Sequence, residues 1–176
     1  GHVYAFARQS NTPLWDYATS NNVYVVAVSA DGNTIAAGGA DGHVRVFGRQ
    51  CNTPLWDYSG SNKVRAVAVS RDGATIAAGW DDGCLRVFGR TSNATLVQQS
   101  TGGSITWSVA ISSDGSTIAC GSRGTNSKVL IYSRSLGLIA NCSVGGTIGG
   151  SVAAGGPTLG ISGDGSLIAL GCNDYK

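Results

Sequence analysis

The sequence predicts an all-β fold, and three observations carry that expectation. First, the 176 residues include 27 glycines, no methionine, and ten acidic residues that are all aspartate. Glutamate and methionine are strong helix formers, whereas glycine and aspartate favour turns, so helical bundles and helix-rich α/β folds are disfavoured. Second, Asp-Gly recurs at 31–32, 41–42, 72–73, 82–83, 114–115 and 164–165. That dipeptide suits tight hairpins, because both central residues of a type I′ turn need positive φ. Third, the runs between these pairs, such as VYVVAVS and TIAAG, are apolar or small at successive positions, as in strands buried on both faces.

Composition also excludes several classes. A hydrophobic content of 42% with 12% charged residues describes a packed globule rather than a disordered chain. A net charge of +2 offers no electrostatic case for nucleic acid or an anionic membrane. No apolar run approaches the roughly 18 residues of a membrane span, so membrane insertion is not expected. Because the sequence starts at Gly1 with no initiator methionine, it is read as a processed product, a trimmed chain or part of a longer polypeptide. The five cysteines form no CxxC pair, which removes zinc spacing, and they are expected to be free, buried thiols. Two N-x-S/T sites, at Asn93 and Asn141, hint weakly at secretion.

A repeat organises the chain. Residues 11–51 and 52–92 agree at 28 of 41 positions, which fixes the period. A third copy at 93–136 keeps WSVAISSDGSTIACG and KVLIYSR. The fourth, 137–176, keeps LGISGDGSLIALG and carries a glycine-rich insertion around 145–150 and 155–156. A phosphate loop there is rejected for want of a G-K-[ST] ending, leaving a loop that could cover a ring mouth. The fourth copy lacks its last strand, and residues 1–6 (GHVYAF) match residues 42–47 (GHVRVF). The single segment 1–176 therefore divides into 11–51, 52–92, 93–136, and 137–176 plus 1–10.

Each copy contains four short strands, which stacked radially make the blade of a β-propeller. The expectation is four four-stranded blades, the last completed by the N-terminal strand or by a neighbouring chain. Three completions stay open: closure of the chain on itself, two chains around a two-fold axis making eight blades, or a longer protein or polymer.

The pattern V-x-x-V-A-V-S-x-D-G-x-T-I-A-A-G-x-x-D-G-x-V-R-V-F resembles the WD-repeat family. It is most similar to divergent repeats of prokaryotic surface and secreted proteins with T-P-L-W-x-Y on the outer strand, which implies an extracellular or cell-surface setting. The resemblance implies inner strands at 23–29 and 64–70 and outer strands at 12–17 and 53–58. Two departures stand out. Asn21-Asn22 and Asn62-Lys63 replace the family's Gly-His, and Phe47-Gly48 and Phe88-Gly89 replace its Trp-Asp, so its His–Asp network is absent. Trp15 and Trp56 are similar to the docking tryptophans of quinoprotein-type propellers and are expected to pack between outer strands.

No catalytic set, cofactor site or metal site emerges. His2 and His43 occupy one blade position and read as scaffold. Most aspartates sit in turns that explain them, and Asp81-Asp82 neighbours do not converge as calcium ligands should. The Ser-x-Asp-Gly-x-Thr box has its glycine one residue early for a sialidase Asp-box. Positions that differ between copies point instead to a binding rim. Aligned inner-strand entrances hold Tyr24, Arg65, Trp107 and Pro157; the turns after IAAG hold Ala40, Asp81, Arg123 and Asn173. With Trp80, Tyr175 and Lys176 alongside, the candidate partner-binding rim is Tyr24, Arg65, Trp80, Asp81, Trp107, Arg123 and Tyr175, rich in the aromatic and Arg residues that anchor interfaces. The expected function is a non-catalytic scaffold for a protein partner. A homodimer or polymer built by strand exchange is the alternative, and a glycan- or small-ligand-binding propeller a further one.

Overall fold

The computed structural model describes residues 1–102, 105–124, 127–135, 137–144, 147–148 and 159–173, and they form antiparallel sheets alone. The strands are β1 (His2–Phe6), β2 (Pro13–Ala18), β3 (Val23–Val28), β4 (Ile35–Gly39), β5 (His43–Phe47), β6 (Pro54–Ser59), β7 (Val64–Val69), β8 (Thr75–Trp80), β9 (Cys84–Gly89) and β10 (Ser92–Ser100). There follow β11 (Ile105–Ile111), β12 (Thr117–Arg123), β13 (Lys128–Ser133), β14 (Leu138–Ser143), β15 (Thr147–Ile148), β16 (Leu159–Ile161), β17 (Ile168–Leu170) and β18 (Cys172–Asn173). Three complete four-stranded meanders result: β3–β6, β7–β10 and β11–β14. Each begins on an inner strand of one repeat and ends on the first strand of the next. Among the described residues, β1–β2, β16–β17 and β15–β18 stand as separate pairs. No described sheet joins β1 to β17, so completion of the last blade by the N-terminal strand is not seen.

The sheets stack through four apolar seams. Val3, Trp15, Ala37 and Phe47 join β1–β2 to the first complete sheet. Val44, Val46, Trp56, Val64, Val67, Trp80 and Phe88 fill the next seam. Leu85, Val87, Val109, Ile118, Cys120 and Tyr132 fill the third, and Trp107, Ala119, Val129 and Leu159 seat β16 on the last complete sheet. Small residues set the spacing between sheets: a Cβ built on Gly79 would lie 2.5 Å from Thr106 Cγ2.

Trp15 and Trp56 behave as packing residues. Each ring lies 5.2 Å from a phenylalanine of the following sheet, Phe47 and Phe88. Their indole N–H groups donate to the carbonyls of Arg49 and Arg90, both at 2.8 Å. Even the outermost strands of neighbouring sheets touch: Asn93 Nδ2 on β10 donates to Asp57 O on β6 at 2.9 Å.

Three expectations are corrected. The Asp-Gly pairs do not form type I′ turns: Gly32 N–H bonds Ser29 O and Gly73 N–H bonds Ser70 O, each at 2.9 Å, which puts glycine at the fourth position of the turn. Gly32 then takes φ 70, the left-handed value glycine adopts without strain. Ser29 Oγ donates to Asp31 Oδ1 at 2.6 Å and accepts from the Thr34 N–H, and Ser70, Ser112 and Ser162 likewise donate to the aspartates of their own turns. Next, the IAAG strands are buried on both faces but β3 is not, because β1–β2 supplies no inner strands beside it: Val26 and Val28 are 59% and 61% exposed. Finally, Cys120 is buried, whereas the free thiols of Cys51 and Cys142 are exposed and that of Cys84 is half-buried.

Candidate protein-interaction site

Three entrances of inner strands stand side by side because β3, β7 and β11 lead their sheets in register. Their leading side chains, Tyr24, Arg65 and Trp107, interleave into a ladder. The Arg65 guanidinium carbon lies 5.3 Å from the Tyr24 ring centre and 5.5 Å from that of Trp107. Arg123, at the end of β12, adds a further rung at 4.9 Å from the Trp107 ring. Each contact is a cation over an aromatic face, which holds the guanidinium flat and leaves its edge for hydrogen bonding.

Asp81 uses that edge on Arg65. Nε and Nη2 donate to its two carboxylate oxygens at 2.7 and 2.8 Å, a bidentate fork. Hydrogen bonding to Asp81 raises the Arg65 pKa above its ordinary value. Among the described residues Arg123 has no carboxylate partner. Among the described residues, the ladder thus carries one guanidinium with a carboxylate partner and one without, with Tyr24 42% exposed at one end and Trp107, in contact with both arginines, 8% exposed.

Five of the seven residues named from the sequence, Tyr24, Arg65, Asp81, Trp107 and Arg123, are therefore in one cluster. Trp80 is not: it is fully buried, its indole N–H donates to Gly42 O at 3.2 Å, and Arg86 covers its ring at 4.6 Å. The correction has a plain cause, since the last residue of β8 points into the seam with the preceding sheet. Tyr175, Pro157, Lys176 and most of the glycine-rich insertion lie outside the described residues.

The sequence reading missed a second set of ion pairs. Arg45 bonds Asp41 at 2.8 Å and Asp57 at 3.2 Å, and Arg86 bonds Asp82 at 2.6 Å. Their signal was the shared D-G-x-x-R spacing. Asp81 and Asp82 consequently face different arginines and do not converge. His43 Nδ1 meets Asp57 Oδ1 at 2.6 Å and His2 Nδ1 lies 3.4 Å from Asp16 Oδ2, the same position used twice. Among the described residues, no group of three His, Cys, Asp or Glu side chains could hold a metal ion.

A polar cleft of about 280 Å³ opens beside two of the Asp-Gly turns, between Asp31, Asn33, Arg49, Asp72 and Arg90. Asp31 and Asp72 are each engaged by the serine and backbone of their own turn. Arg90 Nη2 donates to Asn33 O at 3.1 Å.

Four-stranded meanders stacked face to face, repeated at about forty residues, define a β-propeller of WD type. The family model for the WD domain, G-beta repeat, matches residues 11–48, 52–89 and 92–133, and the chain belongs to that family. A comparison with curated proteins finds no match. WD40 repeats generally mediate protein interactions or scaffolding, and WD40 propellers are generally non-catalytic. Among the described residues there is no helix, and so none long and apolar enough to cross a membrane.

Proposed function

We propose that this chain is a non-catalytic scaffold that captures a protein partner through the ladder of Tyr24, Arg65, Trp107 and Arg123. The observation that supports this reading most is the unequal treatment of two stacked arginines. Arg65 is neutralised by the Asp81 fork, while Arg123 is held against Trp107 with no described carboxylate. A guanidinium oriented by stacking and without a carboxylate partner among the described residues suits an incoming carboxylate, with Tyr24 an exposed contact at the other end of the ladder. The partner this favours is an acidic protein segment.

The test is affinity capture with immobilised wild type and with Arg123→Glu, the latter reversing the charge at an accessible position. Partners retained by the wild type and lost from Arg123→Glu, with the thermal unfolding of both alike, would support the reading. Equal retention would remove it.

A second reading, assembly of the chain with copies of itself, is favoured by a different observation. In the described structure β1 and β17 each leave one edge without a neighbouring strand, and such edges invite strand addition.

A further inference from the structure

Three features at one end of the stack describe the same missing object. Strand β1 has β2 on one side and no described strand on the other. Beside it, Val26 and Val28 present an exposed aliphatic row, whereas the equivalent Val67 is 7% exposed and packs into the seam that holds Ala36 and Val44 of the preceding sheet. The turns add a third feature. Ala30 N–H donates to Arg71 O, Arg71 N–H to Ser113 O, and Ser113 N–H to Gly163 O, at 3.1, 3.1 and 2.8 Å. This directional chain of bonds runs from sheet to sheet, and no described residue continues it beyond Ala30 O or Gly163 N.

The opposite end of the stack carries the complement. Hairpin β16–β17 has an open edge on β17, an exposed Ala169 at the place equivalent to Ala36, and the free end of the turn series at Gly163. Ala36 itself is fully buried.

We infer that hairpin β16–β17 of a second copy seats beside β1, completing a four-stranded sheet β16–β17–β1–β2 across two chains. The inference rests on the assembly reading above and specifies its interface. The repeat sets the register: Ile35 pairs with Phe47, Ala36 with Val46 and Ala37 with Arg45. By equivalence Ile168 faces Phe6, Ala169 faces Ala5 and Leu170 faces Tyr4 of the other copy. Ala169 then covers Val26, and Gly163 N–H donates to Ala30 O.

Self-closure into a four-bladed ring does not suit the sheet angles. The outermost strand stands roughly 14 Å beyond the innermost at the usual strand spacing, so right angles between neighbours would part outer strands by at least roughly 20 Å. Here the outer strands of neighbouring sheets share a 2.9 Å hydrogen bond, Asn93 to Asp57, and Trp56 lies 5.2 Å from Phe88. Sheets inclined that gently need more than four to close a ring, and two copies joined head to tail at both junctions satisfy this.

The test mixes two single variants, Ala5→Cys and Ala169→Cys, each in a background with Cys51, Cys84, Cys142 and Cys172 changed to serine. Light scattering on the unmodified chain should give twice the 17.8 kDa chain mass. Mild oxidation of the mixture should link one variant to the other, with neither linking to itself. A monomer mass at all concentrations overturns both the seat and the assembly reading. A dimer mass without the mixed disulfide overturns the seat and leaves assembly standing. An intrachain disulfide in a monomeric Ala5→Cys/Ala169→Cys double variant overturns the second copy in favour of self-closure.

Discussion

Arg65 on β7 grips Asp81, the residue just after β8, through both carboxylate oxygens at 2.7 and 2.8 Å. Two strands of one sheet are thereby pinned at their rim, and the guanidinium is oriented between Tyr24 and Trp107. Lysine cannot reproduce a planar fork or a flat stack. Arg65→Lys should therefore lose most of the coupling to Asp81. A double-mutant cycle with Asp81→Asn, followed by urea unfolding, should give a coupling of about 1–2 kcal/mol for this mostly buried pair. A coupling indistinguishable from zero would mean the fork is only geometric.

Trp56 joins two sheets by packing and by a hydrogen bond, and the two contributions separate by substitution. Trp56→Phe keeps a ring against Phe88 but loses the bond to Arg90 O, and should cost about 1 kcal/mol. Trp56→Ala empties the seam and should cost about 3–5 kcal/mol. Equal losses for the two variants, measured by chemical denaturation, would contradict this division.

Gly79 and Gly48 differ in what surrounds them. A methyl group at Gly79 would press on Thr106, whereas nothing lies within 4 Å of one at Gly48. Gly79→Ala should destabilise by about 1–3 kcal/mol, since the facing strand must shift. Gly48→Ala should be near neutral. Thermal unfolding of the pair distinguishes them.

Asp31, Asp114 and Asp164 have their carboxyls lowered to about 2, first by the hydrogen bond from Ser29, Ser112 or Ser162 and then by backbone N–H groups. A folded-state pKa below the ordinary 3.8 stabilises the fold above that value, and the contribution is lost as pH falls through about 2. Stability should therefore decline between about pH 4 and pH 2. NMR titration should show the Asp31 carboxyl returning toward its ordinary value in Ser29→Ala, while Asp114 stays low. An unmoved Asp31 would assign the shift to the backbone N–H and side-chain amide of Asn33 instead.

Thiol labelling should divide the cysteines by position. Cys51 and Cys142 are exposed and should react with maleimide in the native protein. Burial pushes the Cys120 thiol up to about 12, so it should react only after unfolding. Native-state mass spectrometry of the labelled chain reads the difference directly.

Much of the architecture is legible in the sequence because repetition exposes it. Residues held alike between copies, such as Trp15 and Trp56 or Ser29 and Ser70, mark scaffold contacts that recur from one copy to the next. The same comparison found Tyr24, Arg65, Trp107, Asp81 and Arg123 as places where the scaffold leaves freedom. It misplaced Trp80, because a strand's final residue can face the seam or the rim and no periodicity distinguishes the two. It misjudged the turns as well, because an Asp-Gly pair does not reveal which residue closes the hydrogen bond.

By itself the sequence determined the all-β class, the period and the absence of the Trp-Asp ending. These follow from local backbone preference and from patterns that repeat along the chain. Only the tertiary structure decided that Arg65 and Arg123 both lie over the Trp107 ring, and that among the described residues Asp81 compensates Arg65 alone. Those relations join residues on different strands and sheets, and depend on the angle at which one sheet packs against the next. That same angle, gentle enough for Asn93 to reach Asp57, is set by side chains filling the seams, a property of packed volumes rather than of any stretch of sequence.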